Sequence, residues 1–292
     1  MERSARETVG LKTIDRQRCE VRPVLRTGTV PSGVGRDEMP LCVVIGTGAI
    51  GRPLIDALRA AGHDVIGFNR SGSDRDGVRT LDEALRLRPA LVIEVAGQAA
   101  LCDIAPRVLA AGIDVVGASV GALADTVFRA RLQAFRTTTA ARLLLPHGAV
   151  GGLDYLATVS RAADLSVVYT SRKPVAAWRD ELRQMGHDVD HIGNEVVLFE
   201  GDAVTAAQRY PRNLNAGLAV ALAAGLDHTR VRVVADPTVR DNTHEVRVQS
   251  ALGHAHFEFM NAPDPRNPKT SRITAFSVAA LALAHLERAS GG

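Results

Sequence analysis

The stretch LCVVIGTGAIGRPLIDALRAAG, residues 41–62, has the pattern of an apolar strand, a glycine-rich turn and a helix. The turn fits GxGxxG, which in a strand–turn–helix unit is typical of a dinucleotide-binding domain. Its three glycines would permit a tight turn, the approach of a pyrophosphate and close packing of the helix on the strand. The free N–H groups of the helix start would face the phosphates. The alternative is a structural glycine turn in another α/β fold. The predicted cofactor contacts are Gly46, Gly48, Ala49, Ile50 and Gly51.

The second strand, DVIGF at residues 64–68, ends at Asn69, Arg70 and Ser71. A carboxylate at this strand end would bind the ribose hydroxyls of NAD. Its absence, with a guanidinium beside it, favours tolerance of the 2′-phosphate of NADP. In the alternative, Arg70 stacks on the adenine and NAD binds. The predicted cofactor is therefore NADP or NAD, with Asn69 and Arg70 in contact with it.

Strands and helices continue to alternate up to residue 148. The strands ALVIEVAG (90–97), DVVGAS (114–119) and RLLLPHG (142–148) are separated by helical segments. This alternation predicts an α/β fold, a Rossmann-type doubly wound parallel sheet over residues 40–148. Ligands of such sheets bind at the carboxyl ends of the strands. The residues expected there are Ala96, Gly97, Ser119 through Ala122, His147 and Gly148.

Residues 149–269 have a different pattern. Several segments with period-2 alternation, from LSVVYTSRKP to AHFEFMN, predict strands, and only one good helix, RNLNAGLAVALAAG, lies among them. We predict a second, α+β domain with a mostly antiparallel sheet, which forms the substrate wall and the contact between the subunits of a homodimer. The last helix, residues 270–288, is expected to pack back on the first domain.

The composition excludes several classes of function. Of 292 residues, 35 are basic and 32 acidic, so the charges nearly balance. The sequence also lacks a basic stripe with interleaved aromatic residues, the pattern that would indicate nucleic-acid binding. No apolar run reaches the ~18 residues of a membrane span. Cys19, Cys42 and Cys102 are far apart and form no CxxC pair, which indicates a reducing cytoplasm, and no metal site is predicted. Residues 1–39 are Arg-rich without periodicity and are expected to be a disordered or non-native extension.

A set of stretches beyond the glycine turn is much more specific than the turn alone. They are SVGALAD (119–125), YPRNLN (210–215), ADPTVRDNTHEVRV (235–248) and NPKTS (267–271). With them the chain resembles the nicotinamide-dependent L-aspartate dehydrogenase family. The resemblance implies oxidation of L-aspartate to iminoaspartate, or the reverse from oxaloacetate and ammonia, as a step that feeds NAD biosynthesis.

The same resemblance implies roles for single residues. His244 is implied to be the catalytic histidine, and Ala122 and Asn213 are implied to lie against the cofactor. The family pattern commonly has an aspartate where this sequence has Asn69, so a preference for NAD does not follow from it.

His244 also has a chemical argument of its own. It follows Asp241, Asn242 and Thr243, which have the character of a turn between two strands. A lone histidine beside a turn is more often structural than catalytic. An imidazole with its ordinary pKa of about 6.5 can nevertheless take and return the protons that amine oxidation requires. We expect His244 to project into the cleft between the domains, with Asn242 and Thr243 orienting it or binding substrate.

A dicarboxylate substrate requires cations. Lys269 is the first candidate, because Thr270 and Ser271 follow it and would cap the last helix beside an anion. Arg212 and Lys173 are weaker candidates, and the alternative for each is a solvated surface position. His147 has no evident partner and is assigned no direct role.

Two other functions are compatible with this pattern. One is a dehydrogenase of another small amino or hydroxy dicarboxylate, or of a semialdehyde as in the homoserine dehydrogenase-like group. The other is a dinucleotide-binding sensor without catalysis. The joint presence of His244, Asn242 and Lys269 argues against the sensor.

Overall fold

The computed structural model describes residues 39–135, 137–211 and 213–290, without the side chains of Pro268, Lys269 and Ser290. The expectation of an N-terminal extension therefore lies outside the described residues, apart from Met39. In the described part of the chain, no helix is both long and apolar enough to cross a membrane.

The first sheet is of the Rossmann type, as predicted. Its strands are β1 (Leu41–Ile45), β2 (Asp64–Asn69), β3 (Gly72–Ser73), β4 (Leu91–Glu94), β5 (Val115–Gly117) and β6 (Leu143–Leu144). They are ordered β3-β2-β1-β4-β5-β6, and all neighbours are parallel except β3, which forms an antiparallel hairpin with β2. The hairpin was not predicted, because a pair of two-residue segments has no alternation to detect.

Helices cover both faces of this sheet. They are α1 (Gly51–Ala60), α2 (Leu81–Arg86), α3 (Gln98–Ala110) and α4 (Thr126–Phe135), with a 3-10 turn at Val120–Ala124. Successive residues of β1 enter different clusters, because side chains alternate along a strand. Val43 packs in the core that includes α3 and α4, whereas Cys42 and Val44 pack in the core that includes α1.

The second sheet is mostly antiparallel, which is also as predicted. Its strands are β7 (Ser166–Lys173), β8 (Val196–Asp202), β9 (Thr229–Ala235), β10 (Asn242–Ser250) and β11 (Gly253–Asn261). The order is β11-β10-β7-β9-β8, and only β7 and β9 are parallel neighbours.

The expectation of a single helix in this half was wrong. Besides α8 (Asn215–Ala224), the chain forms α5 (Leu153–Val159), α6 (Arg179–Gln184) and α7 (Ala203–Arg209). These three have only six or seven residues, too few turns for a clear helical periodicity. The apolar α8 contacts α5, α7, β7 and the 3-10 turn of the first half, so it lies buried between the two sheets.

The end of the chain returns to the first sheet. A hairpin of β12 (Pro263–Asp264) and β13 (Asn267–Ser271) leads into α9 (Ile273–Ser290). Val278, Ala282 and Leu286 of α9 share a core cluster with Leu54 and Leu58 of α1. Thr270 and Ser271 lie in β13, not at the start of the helix. The expectation that they cap the last helix was therefore wrong.

Candidate active site

A cleft of about 660 Å³ lies between the two sheets. The wall on the first sheet consists of Ile50 and the loops after β4, β5 and β6. The opposite wall includes Lys173, Asn213 and His244, and Asn267, Thr270 and Ser271 of β13 lie at a third side. The Gln98 amide donates to the Pro211 carbonyl oxygen over 2.9 Å, which joins the two walls.

The glycine turn at one end of the cleft has the geometry that the motif predicts. Gly46 has φ +108°, and a Cβ on Gly51 would lie 1.8 Å from the Gly46 carbonyl oxygen, so a larger residue at Gly51 would clash. A Cβ on Gly48 would meet nothing within 4 Å, which leaves space for a ligand against the backbone. No side chain caps the start of α1, and its first turn contains no carboxylate. The positive helix end therefore suits a pyrophosphate.

His244 lies inside β10, opposite Ser171 of β7 and Phe259 of β11. Its side chain lines the cleft although the residue is only 4% exposed. The Nδ1 atom is 2.7 Å from the hydroxyl of the fully buried Tyr169. The Nε2 atom has no hydrogen-bond partner among the described residues. A buried, unpaired imidazole nitrogen is costly, and a substrate proton in the cleft would satisfy it.

The protonation state of His244 differs from the expectation. Burial lowers the pKa of His244 from its ordinary value of 6.5 to about 3, and the positive charge of Lys173 acts in the same direction. In the cleft the imidazole is therefore neutral at neutral pH. The expectation of an ordinary imidazole pKa was wrong because the side chain lies within the sheet and does not project from a turn.

Lys173, at the end of β7, is a buried cation in the same cleft. The residue is 2% exposed, and its ammonium donates to the Asn213 side-chain oxygen over 2.7 Å. The nitrogen also lies 5.6 Å from the centroid of the Trp178 ring. The sequence pattern favoured Lys269 over this lysine. In the structure, however, Lys173 is buried and lines the cleft together with His244.

The comparisons with known proteins agree with this geometry. A family model described as "Aspartate dehydrogenase, C-terminal" matches residues 154–285, and one described as "Homoserine dehydrogenase, NAD binding domain" matches residues 46–146. The chain is 50% identical to L-aspartate dehydrogenase 2 of Bordetella pertussis over 205 residues, which are 70% of this chain and 77% of the relative. The chain belongs to the L-aspartate dehydrogenase family.

Other members and solved structures extend the match. The L-aspartate dehydrogenase of Ruegeria pomeroyi is 40% identical over 236 residues, 80% of this chain and 82% of the relative. The crystal structure of aspartate dehydrogenase from Thermotoga maritima has a TM-score of 0.65 and 27% identity, and the match covers 86% of this chain and 97% of that one. A hyperthermophilic archaeal homoserine dehydrogenase in complex with NADPH has a TM-score of 0.53 at 12% identity. That last similarity concerns the fold alone.

Only some of the residues that the sequence predicted for the site line the cleft. The predicted cofactor and catalytic residues that line the cleft are Ile50, Ala96, Gly97, Ser119, Val120, His147, Gly148, Asn213 and His244. Ala122 is buried in the 3-10 turn and lies on a smaller neighbouring pocket. Asn242 is on the same side of β10 as His244, and its amide donates to the Ser271 hydroxyl over 3.5 Å.

Three residues that were expected to bind the substrate do not line the cleft in the described part of the chain. Thr243 belongs to β10 and not to a turn, so strand alternation directs it to the face opposite His244. Thr243 is not among the residues that line the cleft, and its contact with the imidazole or the substrate stays a prediction. Arg212 lies outside the described residues. Lys269 lies in β13, and its side chain is likewise outside the described part of the chain. His147 lines the cleft, at the loop after β6.

The end of β2 has a polar neighbour that was not predicted from the sequence. Asn69 and Arg70 are exposed there, and the Asn69 oxygen accepts the Ser71 N–H over 2.7 Å. The Asp74 carboxylate accepts the Gly67 N–H within β2 and forms an ion pair of 2.9 Å with Arg59. A carboxylate therefore lies beside β2 after all, but Arg59 balances its charge.

Glu94, at the end of β4, is a second residue that was not predicted. It is 0% exposed, and its carboxylate accepts the N–H groups of Ala96 and Gly97 over 2.7 Å. It also accepts the N–H and the hydroxyl of Ser119, over 3.2 and 2.9 Å. Burial raises the pKa of Glu94, and these hydrogen bonds oppose the rise. Glu94 thus ties together the two loops that carry Ala96, Gly97 and Ser119. The signal was an acidic residue within the apolar strand LVIE.

Among the described residues, no group of three or more His, Cys, Asp or Glu side chains is arranged to hold a metal ion.

Proposed function

We propose that this chain is an NAD(P)-dependent L-aspartate dehydrogenase, which oxidises the CH–NH2 group of L-aspartate to iminoaspartate. One observation carries the proposal. The unpaired Nε2 of His244 and the buried Lys173 share a cleft with the loops of a dinucleotide-type sheet, in a chain 50% identical to a named L-aspartate dehydrogenase. No observation favours the semialdehyde or sensor functions, since similarity to homoserine dehydrogenases is limited to the fold and the first domain.

The bound nicotinamide cofactor supplies the acceptor for the hydride that leaves Cα. Its phosphates fit the open side of Gly48 and the uncapped start of α1. The chain itself must remove a proton from the substrate ammonium before the C–H bond breaks. Because His244 is neutral, its Nε2 can accept that proton. The other nitrogen then carries its own proton and donates to the Tyr169 oxygen, which fixes the tautomer.

Oxidised cofactor and aspartate together yield iminoaspartate, reduced cofactor and one proton. The proton accepted by His244 is the one that is finally released to solvent. In the reverse direction, the imine formed from oxaloacetate and ammonia is first reduced, and the protonated imidazole then returns the proton to the nitrogen of the resulting amine. The residues that bind and position groups around this transfer are Asn242, Asn213, Glu94 and Lys173.

The choice between the two cofactors is a separate proposal. The exposed Asn69, Arg70 and Ser71 contain no carboxylate, and Arg59 neutralises the nearby Asp74. This charge distribution supports appreciable use of NADP, because nothing at the strand end repels a 2′-phosphate and Arg70 can pair with it.

We also propose a cytoplasmic homodimer that contributes to NAD biosynthesis. The nine-residue β11 lies at the edge of the second sheet, and the side chain of Met260 on it is exposed, features that suit a subunit contact. Cys42 and Cys102 are free thiols, which supports a reducing compartment.

The test is a spectrophotometric assay that follows the absorbance of the reduced nicotinamide. L-Aspartate is offered with NAD or NADP, and oxaloacetate with ammonia is offered with the reduced cofactors. We expect turnover in both directions, and much slower turnover of homoserine and malate. Turnover of one of these, with none of aspartate, would contradict the proposal.

A further inference from the structure

Lys173 lies on the side of the second sheet that faces the cleft. Tyr169, Ser171 and Lys173 alternate along β7 and share one face, the face that also carries His244 of β10. His244 is directly opposite Ser171, so Lys173 is its diagonal neighbour across the two strands. Diagonal neighbours are about 7–8 Å apart at their Cα atoms, which long side chains span.

The cleft contains little other charge. Of the lining residues whose side chains the structure describes, Lys173 is the one with a formal charge. A dicarboxylate brings two negative charges into this space, and a desolvated carboxylate needs a charged hydrogen-bond partner. Among the described side chains, Lys173 supplies the cation that such a substrate requires.

The ammonium of Lys173 is also positioned in advance. The Asn213 oxygen accepts one of its hydrogens, and the face of the Trp178 ring lies 5.6 Å away. A long side chain that is already held in place loses less entropy when it binds a ligand than a surface lysine does. Burial of the whole residue at 2% exposure indicates the same fixed position.

We infer that Lys173 is the residue that binds a carboxylate of the substrate beside His244, with Asn213 as its positioning residue. The inference rests on the proposed function and names the part of the site that recognises the acid. Lys173 also takes the place of Lys269 and Arg212 as the first candidate for the cation that binds the substrate. The carboxylate next to the amine is the one that Lys173 holds, because His244 must reach that amine.

The first experiment measures binding without turnover. Succinate, a dicarboxylate that has no amine to oxidise, is titrated by calorimetry into protein loaded with reduced cofactor. Lys173→Met removes the charge and keeps the length of the stem. Lys173→Gln removes the charge and keeps a donor for Asn213. In both variants we expect succinate affinity to fall by about 10- to 100-fold, as for loss of a charged hydrogen bond.

Controls separate this loss from a structural defect. The affinity for reduced cofactor, read from nicotinamide fluorescence, should change less than about twofold, because the phosphates of the cofactor fit the glycine turn and the start of α1 on the first sheet, whereas Lys173 belongs to the opposite wall. Arg183→Met, which removes an exposed cation from α6 of the same half, should leave succinate binding unchanged. The neutral diamide of succinate should bind wild type and variants equally weakly. In the aspartate assay, the KM for aspartate should rise in both variants.

The outcomes distinguish the inference from the function on which it rests. Wild-type turnover of aspartate, with unchanged succinate affinity and unchanged KM in both variants, overturns the role of Lys173 and leaves the dehydrogenase activity intact. A wild-type protein that neither binds succinate nor oxidises aspartate overturns both. Loss of cofactor affinity in parallel with succinate affinity also overturns the inference, since it shows a general defect of the cleft.

Discussion

Replacing His244 by asparagine should make the stability of the protein less sensitive to acid. The imidazole titrates near pH 6.5 when exposed, but burial and Lys173 lower its pKa to about 3 in the folded chain. Between these two values the unfolded chain binds one proton more than the folded chain. The contribution of His244 to stability is therefore full above pH 6.5 and is lost as the pH falls toward 3. Asparagine has no proton to take up and removes this dependence.

The expected size follows from the shift. Each pH unit in this window lowers the free energy of unfolding by about 1.4 kcal/mol for one such group. From the ordinary imidazole pKa to pH 5 is about 1.5 units, which gives about 2 kcal/mol. The side chain is almost completely buried, so solvent screening does not reduce this figure much. Burial also lowers the pKa values of His63 and His285, but both occur in wild type and variant and cancel in the difference.

The measurement is urea unfolding of wild type and His244→Asn at pH 7 and pH 5. The wild type should lose about 2 kcal/mol more than the variant between the two conditions, whatever the stabilities at pH 7. His254→Asn, which removes an exposed imidazole from β11, is the matched control and should behave as wild type. If the wild type and His244→Asn lose the same free energy, the buried imidazole is not neutral, and its proposed role as proton acceptor fails with it.

The lowered pKa has a kinetic consequence as well. The acid limb of kcat/KM reports the free enzyme, so for His244 it should lie well below the range of an ordinary imidazole. This replaces the expectation of an acid limb near pH 6.5 that the isolated residue would predict.

Four further results are expected. His244→Ala should lower kcat by roughly 10²-fold while the fluorescence-derived Kd for reduced cofactor stays unchanged; full turnover in the variant would make the histidine merely structural. Glu94→Gln should weaken cofactor binding by about tenfold, because the NH2 group of glutamine cannot accept the hydrogen bonds that the Glu94 carboxylate accepts from N–H groups; an unchanged Kd would count against the positioning role of Glu94. Asn69→Asp should shift the ratio of kcat/KM for the two cofactors toward NAD by repulsion of the 2′-phosphate; a constant ratio contradicts the charge argument. Deletion of residues 1–38 should leave circular dichroism and aspartate turnover nearly intact, and an unfolded product would show that the segment belongs to the fold.

The parts of the site that sequence could predict are local. The turn at Gly46–Gly51 is specified by residues within a single loop. A side chain at position 51 would clash with the backbone of Gly46, so only glycine fits there. The alternation of strands and helices, and its change after residue 148, likewise depend on periodicity within short windows. Short elements such as β3, with two residues, and α6, with six, escape this reasoning because each spans fewer than two periods of its pattern.

The parts of the site that sequence ranked low or left out depend on distant contacts. Lys173 is held by Asn213, which is 40 residues away in the chain, whereas Lys269 was favoured for its immediate neighbours. Glu94 is bonded to Ser119 across 25 residues. The pKa of His244 depends on burial and on a charge from another strand. In each case the residue type was visible, but the partner that determines its chemistry was not.

A neutral histidine beside a fixed cation has a direct relation to the reaction. In the empty cleft, protonating His244 would add a second positive charge next to Lys173, and burial opposes this strongly. Aspartate enters at neutral pH with two carboxylates and one ammonium, for a net charge that balances Lys173. Moving the ammonium proton to Nε2 then leaves the total charge of the cleft unchanged, and the new imidazolium lies beside carboxylates. The barrier to charging His244 thus falls only when the dicarboxylate is present, which couples the activation of the base to recognition of the acid. A neutral amine bound in the same cleft would bring no such compensation, and His244 would remain unable to accept its proton.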